Sequence, residues 1–306
     1  MSTHTKPEGP VGQFAYLARA GKEFATQPGE AFERTLEKIA EWRDERAGSF
    51  RYPVVEQADQ RLHELIGGSW PCDEAEAFSA VWADALNDLG TQALRIGRGA
   101  FGGWDDGDPR LVSFAWCCAR HLRPLRVLET GVGRGLTTRV LLEAMHRNGQ
   151  GHLWSVDLPP LLEHGLAAET AVAVPARLRN RWTLVTGSSR RVLPSLVSQL
   201  GTIDVFIHDS MHTTRNVMFE LEHVWPALAP GGVILIDDVE KNGAVSQLAK
   251  RHPDAQPIIC ASDDGEALIG CVRKIRPLAG SGVRPYPFGQ HLPCDPFAKH
   301  DGQYRA

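Results

Sequence analysis

Apolar residues recur at helical spacing in the first third of the chain, within residues 31–46 and 74–96. The clearest series consists of Phe78, Val81, Trp82, Ala85 and Leu89. The pattern predicts a helical N-terminal extension over residues 1–107. A glycine-rich stretch, residues 97–109, is expected to be a flexible break, and Asp108 is expected to cap a helix that runs to His121.

Short apolar runs typical of β-strands alternate with helical patterns from residue 126 onward. The predicted strands are 126–130, 152–158, 182–187, 203–209 and 232–238. Repeated βαβ units predict an α/β fold with a parallel sheet and helices on both faces. Two further runs, 257–262 and 267–274, are separated only by a short turn, so they predict a hairpin and one antiparallel strand. The expected domain spans residues 108–276, and residues 277–306 are expected to be a Pro/Gly-rich tail.

Composition narrows the classes of function. The 306 residues are 42% hydrophobic and carry a formal net charge of −4, so a globular chain without affinity for nucleic acid is expected. A bilayer-length apolar run and a signal-peptide layout are both absent from the sequence, which predicts a cytoplasmic protein with no membrane partner. The six cysteines form no CxxC pair and no zinc spacing, so buried free thiols are expected.

The stretch RVLETGVGRGLTTRVLL, residues 126–142, predicts a ligand site between a strand and a helix. Its glycines are Gly131, Gly133 and Gly135, and Leu136 stands where the dinucleotide fingerprint would need a further glycine. Glycines in such a turn bring backbone N–H groups close to a ligand. Glu129 could accept a hydrogen bond from a ligand amine or orient those N–H groups. Thr137 and Thr138 could bind a carboxylate or cap the helix.

Two neighbouring strand ends supply further candidate ligand contacts. Asp157 follows Gly131 by 26 residues (157 − 131), about one βα unit, and its carboxylate could accept both hydroxyls of a ribose. The alternative is that Asp157 only caps a turn. Ser188 and Ser189 open a helix, where they could contact an adenine edge or serve as helix caps.

Three acidic residues follow two other strands: Asp209, and then the adjacent pair Asp237 and Asp238. The carboxyl ends of parallel strands share one edge of the sheet, so these carboxylates are expected to converge. Like charges at close range require a cation or bound protons. Oxygen ligands favour Mg²⁺, Mn²⁺ or Ca²⁺ over zinc. The alternative is that some of these residues cap helices.

The GxGxG turn after an acidic strand end resembles motif I of class I S-adenosylmethionine (SAM) methyltransferases. The series of motifs ETGVGRG…SVDLP…IHDSMHT…GGVILIDD resembles that of the methyltransferase-24 group and of the catechol O-methyltransferase-like, metal-dependent branch. The resemblance implies a Rossmann-like sheet of order 3-2-1-4-5-7-6 with strand 7 antiparallel. It also implies SAM and Mg²⁺ or another divalent cation as cofactors, with Asp209, Asp237 and Asp238 as metal ligands and Asp209 also beside SAM.

Catechol enzymes place a general base, a lysine, three positions after the first Asp, and that position here is His212. A histidine can serve because its unperturbed pKa lies near working pH. His208 is the weaker candidate base, because it precedes Asp209 by one residue and should point to the other side of the strand.

The sequence therefore predicts methyl transfer from SAM to a hydroxyl of a small molecule, for example a bacterial secondary metabolite. The N-terminal helices, with Trp70 and Trp104 near their loops, could form a lid, and relatives suggest a homodimer. Three alternatives stay open: a metal-independent N- or O-methyltransferase, a non-catalytic accessory protein with the same fold, and a nicotinamide-dependent reductase. Leu136 and the terminal hairpin count against the reductase.

Overall fold

A computed structural model describes residue 25 and residues 27–102, 104–158 and 164–275 of the chain, and three helices dominate its first part, residues 28–91. Helices α1 (Pro28–Ala47), α2 (Ala58–Ile66) and α3 (Ala75–Thr91) precede α4 (Arg110–Leu122). The carboxylate of Asp108 accepts the Arg110 N–H near the start of α4, as its predicted capping role requires. The predicted tail over residues 277–306 and Cys294 lie outside the described residues.

A seven-stranded sheet with helices between its strands follows within the described residues from 126 to 275. Its strands are β1 (Arg126–Thr130), β2 (His152–Asp157), β3 (Trp182–Thr186), β4 (Ile203–His208), β5 (Leu228–Ile236), β6 (Ala255–Ala261) and β7 (Leu268–Lys274). The helices between them are α5 (Leu136–Asn148), α6 (His164–Glu169), α7 (Ser189–Leu200), α8 (Thr214–Ala227) and α9 (Ala244–Arg251), with 3₁₀ turns at Ala176–Arg181 and Val239–Lys241. The spatial order is β3-β2-β1-β4-β5-β7-β6, and β7 runs antiparallel to β5 and β6. The predicted α/β fold and strand order are confirmed.

Side chains that alternate along the central strands divide the core into two layers. In β4, Val205 and Ile207 pack on the face covered by α4 and α5, whereas Phe206 packs on the face covered by α7 and α8. All three are fully buried. The sheet is thus covered on both faces, so the exposed ends of its strands are left to build a site.

The turn after β1 touches the end of β4 through Gly131. A Cβ at Gly131 would lie 1.8 Å from the carbonyl oxygen of Asp209, and the backbone there has φ +85°. Gly135 also has φ +85° and begins α5, with the Val174 side chain 2.9 Å from the position of a Cβ. Both positions require glycine, because an L side chain would be strained and would collide.

The predicted free thiols agree with the described structure, in which Cys72, Cys117, Cys118, Cys260 and Cys271 are unbridged. All but Cys72 are buried.

Among the helices of the described ranges, none is both long and apolar enough to cross a bilayer.

We expect Gly131→Ala to lower the free energy of unfolding more than Gly149→Ala does. Gly149 has φ +72° with no atom within 4 Å of a Cβ, so its substitution should cost only the backbone strain, about 1–2 kcal/mol. Gly131→Ala adds a collision with the main chain of Asp209, worth roughly 1–3 kcal/mol more. Urea unfolding of both variants measures the difference, and equal losses would contradict the close approach.

Candidate functional site

Asp209, Asp237 and His212 come together where β4 and β5 end. One ligand atom from each lies within 4.8 Å of the others. The Nε2 atom of His212 is 3.8 Å from Oδ1 of Asp209 and 4.0 Å from Oδ2 of Asp237. Register explains the meeting, because the ends of β4 and β5 lie side by side and the Asp237 N–H donates to the His208 carbonyl.

Asp238 turns away from this group and holds the histidine ring. Its Oδ2 lies 2.8 Å from Nδ1 of His212, and the Lys241 ammonium also donates to it. An Nδ1–H bond to a carboxylate leaves the Nε2 lone pair directed at the two aspartates. The three predicted metal ligands are therefore distributed as two facing carboxylates and a third that orients His212.

Burial and neighbouring negative charges raise the pKa of both facing carboxyls. Burial is the largest cause at Asp209, followed by the charge of Asp238, and burial and then Asp209 act on Asp237. At Asp238 burial opposes ionisation, yet the charges of His212 and Lys241 outweigh it and lower the pKa. Burial lowers the pKa of His212 in spite of Asp238, which favours the neutral imidazole.

This group fits a divalent cation. In the part of the chain that the structure describes, the buried Nε2 of His212 has no hydrogen-bond partner although two carboxylates face it. The two facing carboxylates are oxygen ligands of the kind that Mg²⁺ or Mn²⁺ prefers, and the unpartnered Nε2 is left open to accept a proton.

Glu129 lies at the base of the glycine turn and is fully buried. Its Oε2 accepts hydrogen bonds from Thr138 (2.8 Å) and Ser155 (2.6 Å), so Thr138 serves Glu129 and does not cap the helix by its side chain. Burial, partly offset by these two bonds, raises the pKa of Glu129 to about 7. Among the described side chains, its buried Oε1 is one of those with no partner, as expected of an atom that a bound cation or amine would satisfy. Thr137 is buried near the start of α5.

Asp157 ends β2 beside the glycine turn, as predicted. Burial raises its pKa to about 6, although the backbone N–H groups of Val132 and Leu158 bond the carboxylate and oppose that rise. Arg34 of α1 adds a favourable charge and donates to the Leu158 carbonyl at 3.4 Å. The bond to Val132 ties Asp157 to the glycine turn, which joins two parts of the predicted cofactor site.

Ser188 and Ser189 begin α7, and neither caps it by its side chain. The Ser189 hydroxyl donates to Asn216 at 3.1 Å. The buried Ser188 hydroxyl lacks a partner within the described ranges, while the Ser188 N–H donates to Glu30 of α1 at 3.2 Å. Ser188 therefore has a free polar group at the place where the sequence predicts an adenine contact.

Arg134, which the sequence analysis did not single out, fastens the loop before α4 to the glycine turn. It pairs with Asp106 at 2.7 Å and Glu169 at 2.6 Å, and it donates to the carbonyls of Arg95 and Ala100. Phe101 is buried above the turn, 3.5 Å from the position of a Cβ at Gly133. The expected flexible break over residues 97–109 is thus held in place. The only hint in the sequence was an arginine between two glycines.

Helix α1 docks beside the site through a row of glutamates that the sequence analysis also missed. Glu30, Glu33 and Glu37 pair with Arg190, Arg191 and Arg215 of the α7 and α8 segments. Glu37 also accepts from the Thr213 hydroxyl at 2.6 Å, next to His212. These glutamates are three and four residues apart, a spacing that places them on one face of a helix and could have predicted the row from the sequence.

Trp70 and Trp104, near which the sequence predicts a lid, each contact another aromatic ring. Trp70 contacts His63 in a tilted arrangement with ring centroids 5.2 Å apart, and Trp104 contacts Phe101 with ring centroids 5.8 Å apart. Both tryptophans are about half exposed. The parts of the extension that reach the site are α1 and the loop bearing Phe101.

His208, the less favoured base, is fully buried beneath His212. Its Nδ1 lies 2.6 Å from Glu220, which also accepts from the Thr130 hydroxyl at 2.6 Å. Burial opposes ionisation of Glu220, but His208 and these hydrogen bonds outweigh it and lower the pKa to about 2. His208 thus supports the strand end from below.

Residues 128–239 match the model of a family described as a methyltransferase domain. No curated protein matches the chain. Similar solved structures include cofactor-bound Rv0187 from MTB, with 20% identity, a TM-score of 0.48 and coverage of 73% of this chain and 99% of that one. A putative O-methyltransferase from Klebsiella pneumoniae has 17% identity, a TM-score of 0.47 and coverage of 72% and 96%. An O-methyltransferase from Bacillus cereus in complex with SAH has 16% identity, a TM-score of 0.45 and coverage of 71% and 96%.

We expect Glu220→Gln to lower the free energy of unfolding by about 1–3 kcal/mol at pH 7, because the amide cannot replace the charged acceptor. A carboxyl with a depressed pKa stabilises the fold above its ordinary value of 4.5, and the contribution is lost as the pH falls toward about 2. The difference from the unsubstituted protein should therefore shrink below about pH 4.5 in urea unfolding. The control is Glu222→Gln, which removes an exposed carboxylate paired with Arg251. A constant difference across this range would contradict the assignment.

We expect Glu37→Gln to loosen the segment that carries His212. Loss of the carboxylate weakens the bonds to Arg215, Arg190 and Thr213, and should cost about 1–3 kcal/mol of unfolding free energy. Hydrogen exchange of amides 210–216 should accelerate. Glu41→Gln, on the same helix and paired with half-exposed Lys38, should leave that exchange unchanged. Unchanged exchange in both variants would show that α1 does not order this segment.

Proposed function

We propose that the chain, whose residues 128–239 match a methyltransferase-domain family, transfers a methyl group from SAM to a hydroxyl of a small molecule, assisted by a divalent cation. The acceptor class we favour is a secondary metabolite. One observation carries the proposal: the group of Asp209, His212 and Asp237 adjoins the glycine turn, whose Gly131 touches the main chain of Asp209.

The glycine turn, Glu129, Asp157 and Ser188 would hold SAM. Buried atoms without partners at Glu129 and Ser188, among the described residues, support this role because a ligand would satisfy them. Repulsion between the pKa-raised carboxyls at Glu129 and Asp157 would be relieved by a cationic cofactor. A sulfonium is already a strong electrophile, so the protein must chiefly align it with the acceptor.

His212 would accept the proton of the acceptor hydroxyl at Nε2. Asp238 supports this by bonding Nδ1–H, which fixes the ring and stabilises the imidazolium that forms. The hydroxyl oxygen then bonds the methyl carbon as the carbon–sulfur bond breaks, and the sulfur leaves as a neutral thioether. Asp209 and Asp237 would hold the divalent cation, which when bound would stabilise negative charge on the acceptor oxygen.

A metal-independent N- or O-methyltransferase is the second candidate. The raised pKa of the carboxyls of Asp209 and Asp237 favours it, since a proton shared between them would relieve their repulsion without a cation. An accessory protein without activity is the third, and it would not need the oriented histidine. Turnover after exhaustive chelation separates the first two candidates.

We expect Asp209→Asn and Asp237→Asn each to lower kcat at least ~100-fold, because each removes a carboxylate beside the reacting oxygen. Affinity for S-adenosylhomocysteine should change little, since the glycine turn, Glu129, Asp157 and Ser188 would supply most of its contacts. Isothermal titration with the cofactor product and a methyl-transfer assay over a panel of hydroxylated acceptors measure both quantities.

Glu222→Gln serves as the matched loss of an exposed carboxylate and should keep full activity. Equal losses of cofactor affinity and turnover would assign the two aspartates to the cofactor site or the fold. Full activity after chelation would support the metal-independent candidate. Affinity for NADH in place of SAM would contradict the proposal altogether.

A further inference from the structure

A second cluster of metal-ligating side chains lies outside the site described above, between the helical extension and the sheet domain. His63 of α2, Cys72 of the following loop and His121 of α4 each offer one ligand atom within 4.8 Å of the others. His63 is buried, and Cys72 and His121 are partly buried. We propose that these three side chains bind a zinc ion that joins α2 and its loop to α4.

The rings are oriented as ligands. Nδ1 of His63 lies 2.6 Å from the Asp59 carbonyl oxygen, so it carries the proton and donates it there. That bond fixes the tautomer with an unprotonated Nε2, the usual arrangement of a histidine that binds a metal. In the region covered by the structure, Nε2 of His63 is buried and has no hydrogen-bond partner. A buried acceptor with no donor calls for a bound group.

The sulfur–nitrogen distance within the cluster matches tetrahedral zinc. Sγ of Cys72 lies 3.6 Å from Nε2 of His121. Zinc–sulfur and zinc–nitrogen bonds at a tetrahedral angle place those two atoms about 3.6 Å apart. The rings of His63 and His121 meet edge to face with centroids 5.1 Å apart. A Cβ at Gly68 would lie 3.2 Å from His63 and 3.3 Å from His121, so this glycine makes room for both imidazoles.

The chemistry of the donor set selects the metal. One thiolate and two imidazoles suit zinc, whereas Mg²⁺ and Ca²⁺ require oxygen ligands.

The full-length chain tests the proposal in an Asp209→Asn/Asp237→Asn background, which removes the acidic pair. After incubation with zinc and gel filtration, this protein should retain about one zinc ion by elemental analysis. Cys72→Ser or His121→Asn added to that background should each reduce retention at least ~10-fold. Cys260→Ala, which removes a buried thiol outside the cluster, should retain zinc as the background does.

Cobalt(II) supplies a readout that the acidic site cannot give, because that site has no sulfur. Cobalt-loaded protein should show thiolate-to-cobalt charge-transfer absorption, and Cys72→Ser should abolish it. Cys72→His should retain zinc without that absorption, which separates loss of a ligand from loss of the fold. Unchanged zinc content in Cys72→Ser, or cobalt-loaded folded protein without the thiolate absorption, would overturn the proposal.

Discussion

The contact between Gly131 and the main chain of Asp209 is the constraint on which the site depends. It joins the end of β1 to the end of β4 with no room for a side chain. The glycine turn and the acidic group therefore cannot move apart without breaking the packing of adjacent strands. Their separation is set by main-chain geometry, so a methyl donor on one side and an acceptor on the other would meet at a fixed distance.

Around this contact, charged side chains are organised by burial and pairing. Asp209 and Asp237 face each other and resist ionisation, whereas Asp238 is stabilised as an anion by His212 and Lys241. Neighbouring carboxyls in sequence are thereby given different tasks. Asp238 bonds Nδ1 of His212, and Nε2 has no partner among the described residues. A histidine that transfers a proton or binds a metal needs one ring nitrogen held and the other open in this way.

The pattern of apolar residues was sufficient to predict the strands of the sheet, because strands that are buried on both faces form continuous apolar runs. The ends of two elements differ from the prediction, because the apolar pattern does not mark where hydrogen bonding begins or ends. Strand β5 begins at Leu228, before the predicted residue 232, and helix α3 ends at Thr91, short of residue 96. Asp157 and the glycines could be placed because one βα unit has a standard length. The glutamate row of α1, the ion pairs of Arg134 and the cluster at His63 join segments far apart in the chain, so spacing alone could not reveal them. The division into residues 1–107 and 108–276 stays a prediction.

The position of β7 has a consequence for synthesis of the chain. This strand, the last of the described residues, lies between β5 and β6, and no other described strand pairs with β6. Until residue 274 has left the ribosome, β5 presents unpaired N–H and C=O groups along one side and β6 has nothing to join. Nascent or prematurely terminated chains would thus expose strand edges on which other chains can pair and aggregate. Strand β7 covers these edges once it has been added.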